Sequence, residues 1–476
     1  MRFSTSFLIT LLSNLAIVLL DKGAGLVILW ILKDAPAEKG SLDLLSTFPF
    51  ILMAVSNLGL AASAIYFVRR GEASIREAGE TTTLVAILWG GGLALLAVLV
   101  VHLYAMSLGT ETPFGLLLPL ALTTPFMLIV SYRNSLQLVL GRIHAYNLIH
   151  LIPSLAYLPA FLCVYYFLAE RRSAVSVVWA RFLPAVFLAF LIVWLLRREI
   201  PIRPAWHPRF FRKALAFGWK ANLNSTLTYL NHRVDLYLVR LLYLPGTGLL
   251  LQGILTALVL GLPADGMALA TEHVRAEVAF YSLAVTLAEL IWYVPDALRD
   301  LLFTKVAGLD PDRARRFTPA VCRNTLWVCF AGAAVVWLVH DSFLGLLLGE
   351  SWERTWAPRV SPALLYLLPG TLFFTVAKVL QADLAGRGRI KTCILLGGIV
   401  LASMTLFDLL WVPEHGAAGA ALASSLAYGL SAVATLAAYI RNTGAGLCEL
   451  LIPRREDLAE YRGILKRMFG IKEAFE

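Results

Sequence analysis

The chain has 476 residues, 59% of them hydrophobic and only 15% charged, with a mean hydropathy of +0.74. Those proportions exclude an ordinary soluble domain, which surrounds an apolar interior with a charged surface. The formal net charge of +10 does not imply nucleic acid, because the basic residues gather in the connections between apolar blocks, as they do in cytoplasmic loops of membrane proteins.

The apolar blocks run for roughly 20 to 27 residues, enough to cross a hydrocarbon core of about 30 Å. No barrel-like alternation is present, so the expected fold is an all-α polytopic membrane protein of about twelve spans. In chain order the spans are expected at 6–33, 42–68, 81–107, 113–137, 146–169, 174–196, 214–243, 278–303, 319–340, 358–382, 391–411 and 417–440. The first block is too long for a cleavable signal and lacks a small-residue cleavage site, so it reads as a retained helix. Alternate connections carry Arg69, Arg70, Arg76, Arg142, the run from Arg197 to Lys213, Lys305, Arg313, Arg315, Arg316, Arg387, Arg389 and Lys391. That side holds roughly 25 basic residues against about seven opposite, which predicts both termini in the cytoplasm.

Between spans seven and eight, 244–277 contains an apolar run, Leu249 to Leu262, too short to span comfortably. Counting it as a span would put the later arginine loops outside, so it is expected to be an outward-facing insertion. Beyond the last span, 441–476 is a basic tail in which Leu458, Tyr461, Leu465 and Met468 share one helical face, suited to the inner leaflet. Cys163, Cys322, Cys329, Cys393 and Cys448 lie in or beside apolar blocks without a CxxC pair. They read as buried free thiols, with no disulfide or metal site implied.

A weak internal repeat divides the chain. Leu136-Gln137-Leu138-Val139-Leu140-Gly141-Arg142 closes the fourth span, and Leu380-Gln381-Ala382-Asp383-Leu384-Ala385-Gly386-Arg387 closes the tenth. The expected halves are a six-helix lobe over 1–200 and another over 214–440, joined by the loop 201–213. Six spans return the chain to its starting side, so the two lobes would be parallel repeats around a central cavity.

Charges near the middle of spans are Asp21, Lys22, Arg233, Asp235 and Glu289. Each costs about 2.5–3.5 kcal/mol at a helix centre, so these five should face the interior, either pairing with one another or meeting a ligand. Asn57, Asn222, Asn224, Ser225, Thr226, Thr228, Asn231 and His232 add polarity, most of it on the seventh span, as in a water-lined helix. Arg133, Arg181, Lys220, Arg240, Asp296, Arg299 and Lys378 lie nearer span ends, where snorkelling to the headgroups is expected. No GxxxxGK[ST], GxSxG or HExxH motif occurs, and no loop is large enough for a catalytic domain, so a non-enzymatic role is expected.

The stretches Tyr229-Leu230-Asn231-His232-Arg233-Val234-Asp235-Leu236-Tyr237, Ala288-Glu289-Leu290-Ile291-Trp292-Tyr293-Val294-Pro295-Asp296, Leu384-Ala385-Gly386-Arg387-Gly388-Arg389 and Gly416-Ala417-Ala418-Gly419-Ala420-Ala421 resemble bacterial polysaccharide flippases. The likeness, over roughly 6–440, is to the Wzx-type members of the multidrug/oligosaccharidyl-lipid/polysaccharide (MOP) exporter superfamily. It implies two six-helix lobes forming a V, with spans one, two, seven and eight around a cavity. It further implies a bacterial inner-membrane protein that passes undecaprenyl-diphosphate-linked oligosaccharide outward by alternating access. Membrane lipids and polysaccharide polymerase or glycosyltransferase machinery would be its partners. Carried onto this chain, Lys22 and Arg233, then Arg181 and Lys220, would meet the diphosphate, with Asn57 and Asn231 facing the same cavity. Asp21, Asp235 and Glu289 would carry a coupling proton or sodium ion, with no other cofactor. The insertion at 244–277 departs from the short loop such flippases have. A small-cation or drug exporter of the same superfamily would want an acidic, aromatic cavity instead. A non-transporting scaffold of a polysaccharide synthase is the alternative from another class.

Overall fold

In the computed structural model, residues 3–107, 114–169, 172–201, 204–243, 264–296 and 311–452 are described, with 298, 302, 306 and 454. Every regular element among them is helical. The first six expected spans are formed by α1 (Phe3–Ile31), α2 (Pro36–Ser56), α3 (Leu60–Arg69), α4 (Ile75–Val85), α5 (Gly91–Ser107), α6 (Phe114–Val139), α7 (Ile143–Cys163) and α8 (Ser173–Leu195). A π turn, Ala86–Gly90, joins α4 to α5 without ending the helix. There follow α9 (Pro208–Asn231), α10 (Val234–Leu242), α11 (Ala264–Ala288), α12 (Pro311–Leu348), α13 (Ala357–Gly386), α14 (Ile390–Thr443) and α15 (Leu447–Leu451).

Among the described residues, nine helices are long and apolar enough to cross a membrane, or ten when the bent pair α2 and α3 is one span. The chain is therefore a multi-pass helical membrane protein. Its outward side chains agree: Phe167 is 82% and Leu346 89% exposed, which water would penalise and lipid does not. Two features separate this count from twelve. The last two expected spans are one 54-residue run, α14, bent at Gly416, whose φ of 54° and ψ of −125° no helix contains. The seventh is broken into α9 and α10 and is too polar to qualify.

Packing groups the chain into two units, Met1–Tyr237 with Thr271–Ala279, and Leu238–Ala270 with Phe280–Glu476. The loop 201–213, expected to divide the six-span repeats, falls inside the first unit. The first unit's main core gathers Leu60, Tyr132, Leu136 and Ile192 from α3, α6 and α8, and a second joins Ile28, Phe161 and Val177. In the second unit, Val376, Leu380, Leu396 and Tyr439 form one cluster and Trp292, Phe374 and Tyr428 another.

Two expectations change here and a third falls outside the described residues. Of the insertion at 244–277, residues 244–263 lie outside the described residues, but 264–277 already belongs to α11. Glu272, His273, Arg275 and Glu277 interrupt the apolar pattern there, so hydropathy detects the helix only from about residue 278. The tail stripe at 458–468 lies outside the described residues. Among the cysteines, Cys163 and Cys448 are exposed, against the expected burial, and only Cys322, Cys329 and Cys393 are enclosed.

The two turns quoted for the repeat share a backbone form, in a register different from the expected one. After α6, Gly141 adopts φ 71° and the Arg142 amide donates to the Gln137 carbonyl at 2.9 Å. After α13, Gly388 adopts φ 78° and the Arg389 amide donates to the Leu384 carbonyl at 2.8 Å. Both are Schellman caps, in which a left-handed residue returns the chain so that the last carbonyls find donors. Each arginine is then the N-cap of the next helix, which starts at Ile143 or Ile390. The equivalent triplets are thus Gly141-Arg142-Ile143 and Gly388-Arg389-Ile390, two residues later in the second copy than the Gly386-Arg387 pairing. The helical stretches that follow, 143–195 and 390–443, are of nearly equal length.

Candidate functional site

Eight of the nine sequence-predicted site residues belong to the first unit; Glu289 belongs to the second. Two broken spans organise them. The second span breaks after Asn57, the C-cap of α2, where Leu58 and Gly59 take φ values of 56° and 72° before α3 departs at 46°. A non-glycine residue with positive φ costs about 1–2 kcal/mol, so the bend must be held from outside. The Tyr132 hydroxyl supplies one hold by donating to the Asn57 carbonyl. Helix α9 supplies the other. Gly218 lies so close that a Cβ there would come 2.5 Å from Ser63 Oγ and 2.6 Å from the Gly59 carbonyl oxygen. Ser63 Oγ also donates to the Ala214 carbonyl at 2.8 Å. Asn57 Oδ1 is buried and accepts no hydrogen bond among the described residues.

The seventh span breaks at His232 and Arg233, whose amides donate to Tyr229 and Leu230, a tightened turn that ends α9. Arg233 is half-buried at this turn, with one Nη donating to the His232 carbonyl at 2.9 Å. Asp235 is 1% exposed in the first turn of α10, where its carboxylate accepts from the Leu236 amide at 2.8 Å. Helix N-termini favour negative charge, so this position accounts for an acid surviving burial there without invoking a bound cation. Asn231 is buried at the end of α9.

One stripe of α2, at Asp43, Thr47, Phe50, Ala54 and Asn57, meets most of this machinery. Asp43 holds Lys39 in an ion pair. Thr47 Oγ1 lies 3.1 Å from the Tyr237 hydroxyl, which also donates to the Leu44 carbonyl. Thr226 Oγ1 of α9 donates to the Ala54 carbonyl at 2.8 Å. The Arg181 guanidinium lies 3.9 Å from the Tyr157 ring centre and 5.1 Å from that of Phe50, so a cation–π pair replaces the expected snorkelling. Its Nε is buried with no hydrogen-bond acceptor among the described residues. Asp21 is exposed and Lys22 half-buried, while Lys220 is half-buried with its ammonium 5.8 Å from the Trp219 ring. The arrangement presents several cations on polar, interrupted helices, with donors suited to phosphoryl oxygens.

No protein-family model and no curated protein matches this chain. Solved structures do. An inward-facing multidrug-resistance MATE family transporter of the MOP superfamily aligns with a TM-score of 0.66 and 14% identity, covering 91% of this chain and 94% of that one. The lipid II flippase MurJ in an inward closed conformation aligns at 0.64 and 13%, covering 98% and 94%. A MOP superfamily transporter from Pyrococcus furiosus aligns at 0.55 and 14%, covering 91% and 96%. The chain shares the fold of these MOP transporter structures.

Within this fold two charged clusters contradict the snorkelling expectation. Arg133 is fully buried, its Nε donating to Thr83 Oγ1 at 2.9 Å and one Nη to the Pro201 carbonyl at 3.3 Å. In the second unit Lys378, with its side chain 9% exposed, donates to both Asp296 oxygens at 3.0 Å and lies 4.1 Å from the Trp292 ring centre. Glu289 opens the 3₁₀ turn Glu289–Trp292. Tyr132, Gly218 and the Lys378–Asp296 pair are the residues that sequence reasoning missed as structural determinants. None of the three pairs a sequence signal with a partner: Lys378 and Asp296 are each visible as intramembrane charges, but they stand 82 residues apart and meet only in the fold.

Proposed function

We propose that this protein is a transporter that moves an anionic, lipid-linked cargo across the membrane, most specifically an undecaprenyl-diphosphate-linked oligosaccharide. The observation that carries this reading is Arg233 at the break of a polar seventh span whose first helix also holds Lys220, with Arg181 on α8. Hydrocarbon cannot tolerate a diphosphate, so a path for one needs fixed cations on water-accessible helices. Helix breaks supply free backbone amides besides, and α10 begins with its positive end at Arg233. The likeness in fold to the lipid II flippase MurJ is compatible with this cargo class. The likeness to MATE family transporters extends equally to a small-cation exporter, but Lys22, Arg181, Lys220 and Arg233 argue against a cationic cargo. Alternating access would expose these residues to each side in turn, with Asp21, Asp235 or Glu289 exchanging a proton or sodium ion. Of these, Asp21 is the exposed acid and the best suited to exchange.

The test is genetic and chemical. Deleting the gene should abolish the surface glycan and leave its lipid-linked units on the inner leaflet. Units that still reached the outer face in the deletion strain would overturn the proposal.

A further inference from the structure

Beside the bend of the second span, whose Leu58 lines it in part, the first unit carries a recess of two neighbouring parts that differ in chemistry. One part is a cleft of about 770 Å³ lined by Arg76, Glu80, Arg197, Arg198, Pro201 and Pro204. Glu80 Oε1 accepts from Arg76 Nε at 2.9 Å, and Oε2 lies 2.7 Å from His207 Nε2. With the carboxylate 3% exposed and held from two sides, its charge is answered locally, and Arg197 and Arg198 leave the cleft net basic. Arg133, reaching the Pro201 carbonyl from beneath, fixes the wall of the loop. Arg142 pairs with Glu199 just before it.

An apolar groove of about 460 Å³ begins one turn further along the third span, at Leu84, and next along the chain from Ala205, at Trp206. Its lining includes Leu84, Leu88 and Trp89 on one side and Trp206, Phe211 and Leu215 on the other. Arg76, Glu80, Leu84 and Leu88 follow one another at intervals of four along the third span, so a single helix face passes from charged to apolar. On the facing wall Pro204 gives way to Trp206 and then to α9. The Trp206 and Phe211 rings are 4.7 Å apart and form the floor at the transition.

We infer that this recess binds an anionic glycerophospholipid, its phosphate held by Arg76, Arg197 and Arg198 and an acyl chain lying in the groove from Leu84 to Trp206. A free phosphate would use the cleft and ignore the groove; a zwitterionic lipid would use the groove and gain little from the arginines. Only a lipid with net negative charge satisfies both parts, since basic pockets at the membrane surface select anionic headgroups. This inference is independent of the cargo proposed above, because none of its residues is among those assigned to the transport path.

The experiment measures thermal stabilisation of the purified full-length protein in mild detergent. Ligands added in turn are phosphatidylglycerol, phosphatidylcholine, glycerol 3-phosphate and undecaprenyl diphosphate. Phosphatidylglycerol should raise the midpoint saturably, and phosphatidylcholine and glycerol 3-phosphate should not. In the double variant R197A/R198A, whose altered side chains are exposed, the apparent affinity for phosphatidylglycerol should fall roughly tenfold or more. L88A/L215A should weaken it too, with the arginines intact. Equal responses to the two phospholipids, an unchanged response in R197A/R198A, or saturation by glycerol 3-phosphate alone would overturn the inference. So would undecaprenyl diphosphate binding that R197A/R198A abolishes and phosphatidylglycerol does not compete, since the recess would then serve cargo.

Discussion

Gly218 shows how much can depend on one missing side chain. It lets α9 touch the bend of the second span at Gly59, and no other residue type fits that gap. Gly218→Ala should therefore cost about 1–3 kcal/mol through overpacking, read as a lowered thermal midpoint in detergent. An unchanged midpoint would show that the two segments separate without cost. Arg233 is a different case, half-buried at a helix break with one Nη donating to the His232 carbonyl. Arg233→Ala and Lys22→Ala should each abolish cargo transfer while membrane levels stay normal, checked by quantitative blotting beside the glycan assay. Loss of both protein and glycan would assign those residues to folding instead. The sequence flags such charges by type and depth but cannot say what they touch. Arg133 and Lys378 illustrate the failure: both sit where a long side chain could reach the headgroups, and both turn inward to partners supplied by distant segments, Thr83 with Pro201 and Asp296.

At the scale of elements, breaks were harder to read than helices. Apolar periodicity located the spans because lipid imposes it on nearly every turn. It was insensitive to the bends at Asn57–Gly59 and His232–Arg233, where one or two residues change conformation inside an otherwise helical pattern. It also missed the start of α11, whose charged first turns carry no apolar signal. The repeated Gly-Arg turn was legible, but its register was not, because Gly386-Arg387 and Gly388-Arg389 offer the same dipeptide twice and only backbone geometry chooses. That choice has a direct consequence. Gly141→Ala and Gly388→Ala should each destabilise by about 1 kcal/mol, since alanine resists the left-handed conformation, whereas Gly386→Ala, at a helical position, should cost less. Equal losses at Gly386 and Gly388 would restore the earlier pairing. The measurement is again the unfolding midpoint of the purified variants.

For the whole molecule, the distribution of arginine and lysine predicts which side faces the cytoplasm, and α15 allows this to be tested. Cys448 is exposed just after the last span, on the side where the basic loops are predicted to collect. In a Cys163→Ser background, a membrane-impermeant maleimide should label Cys448 in inverted vesicles and not in intact cells. Labelling of intact cells would invert the orientation and with it the direction of transport. The two units also divide the candidate machinery unequally, with Asp21, Lys22, Arg181, Lys220, Arg233 and Asp235 in one and Glu289 in the other. A cation-bearing first unit with two interrupted spans is what an anionic cargo requires.

The most direct test of that account is transfer by the purified protein in proteoliposomes. Undecaprenyl-diphosphate-linked oligosaccharide should pass from one leaflet to the other with the wild-type chain and fail to do so with Arg233→Ala, while a cationic dye should be moved by neither. Transfer of the dye, or equal transfer of the lipid-linked sugar by both proteins, would contradict it.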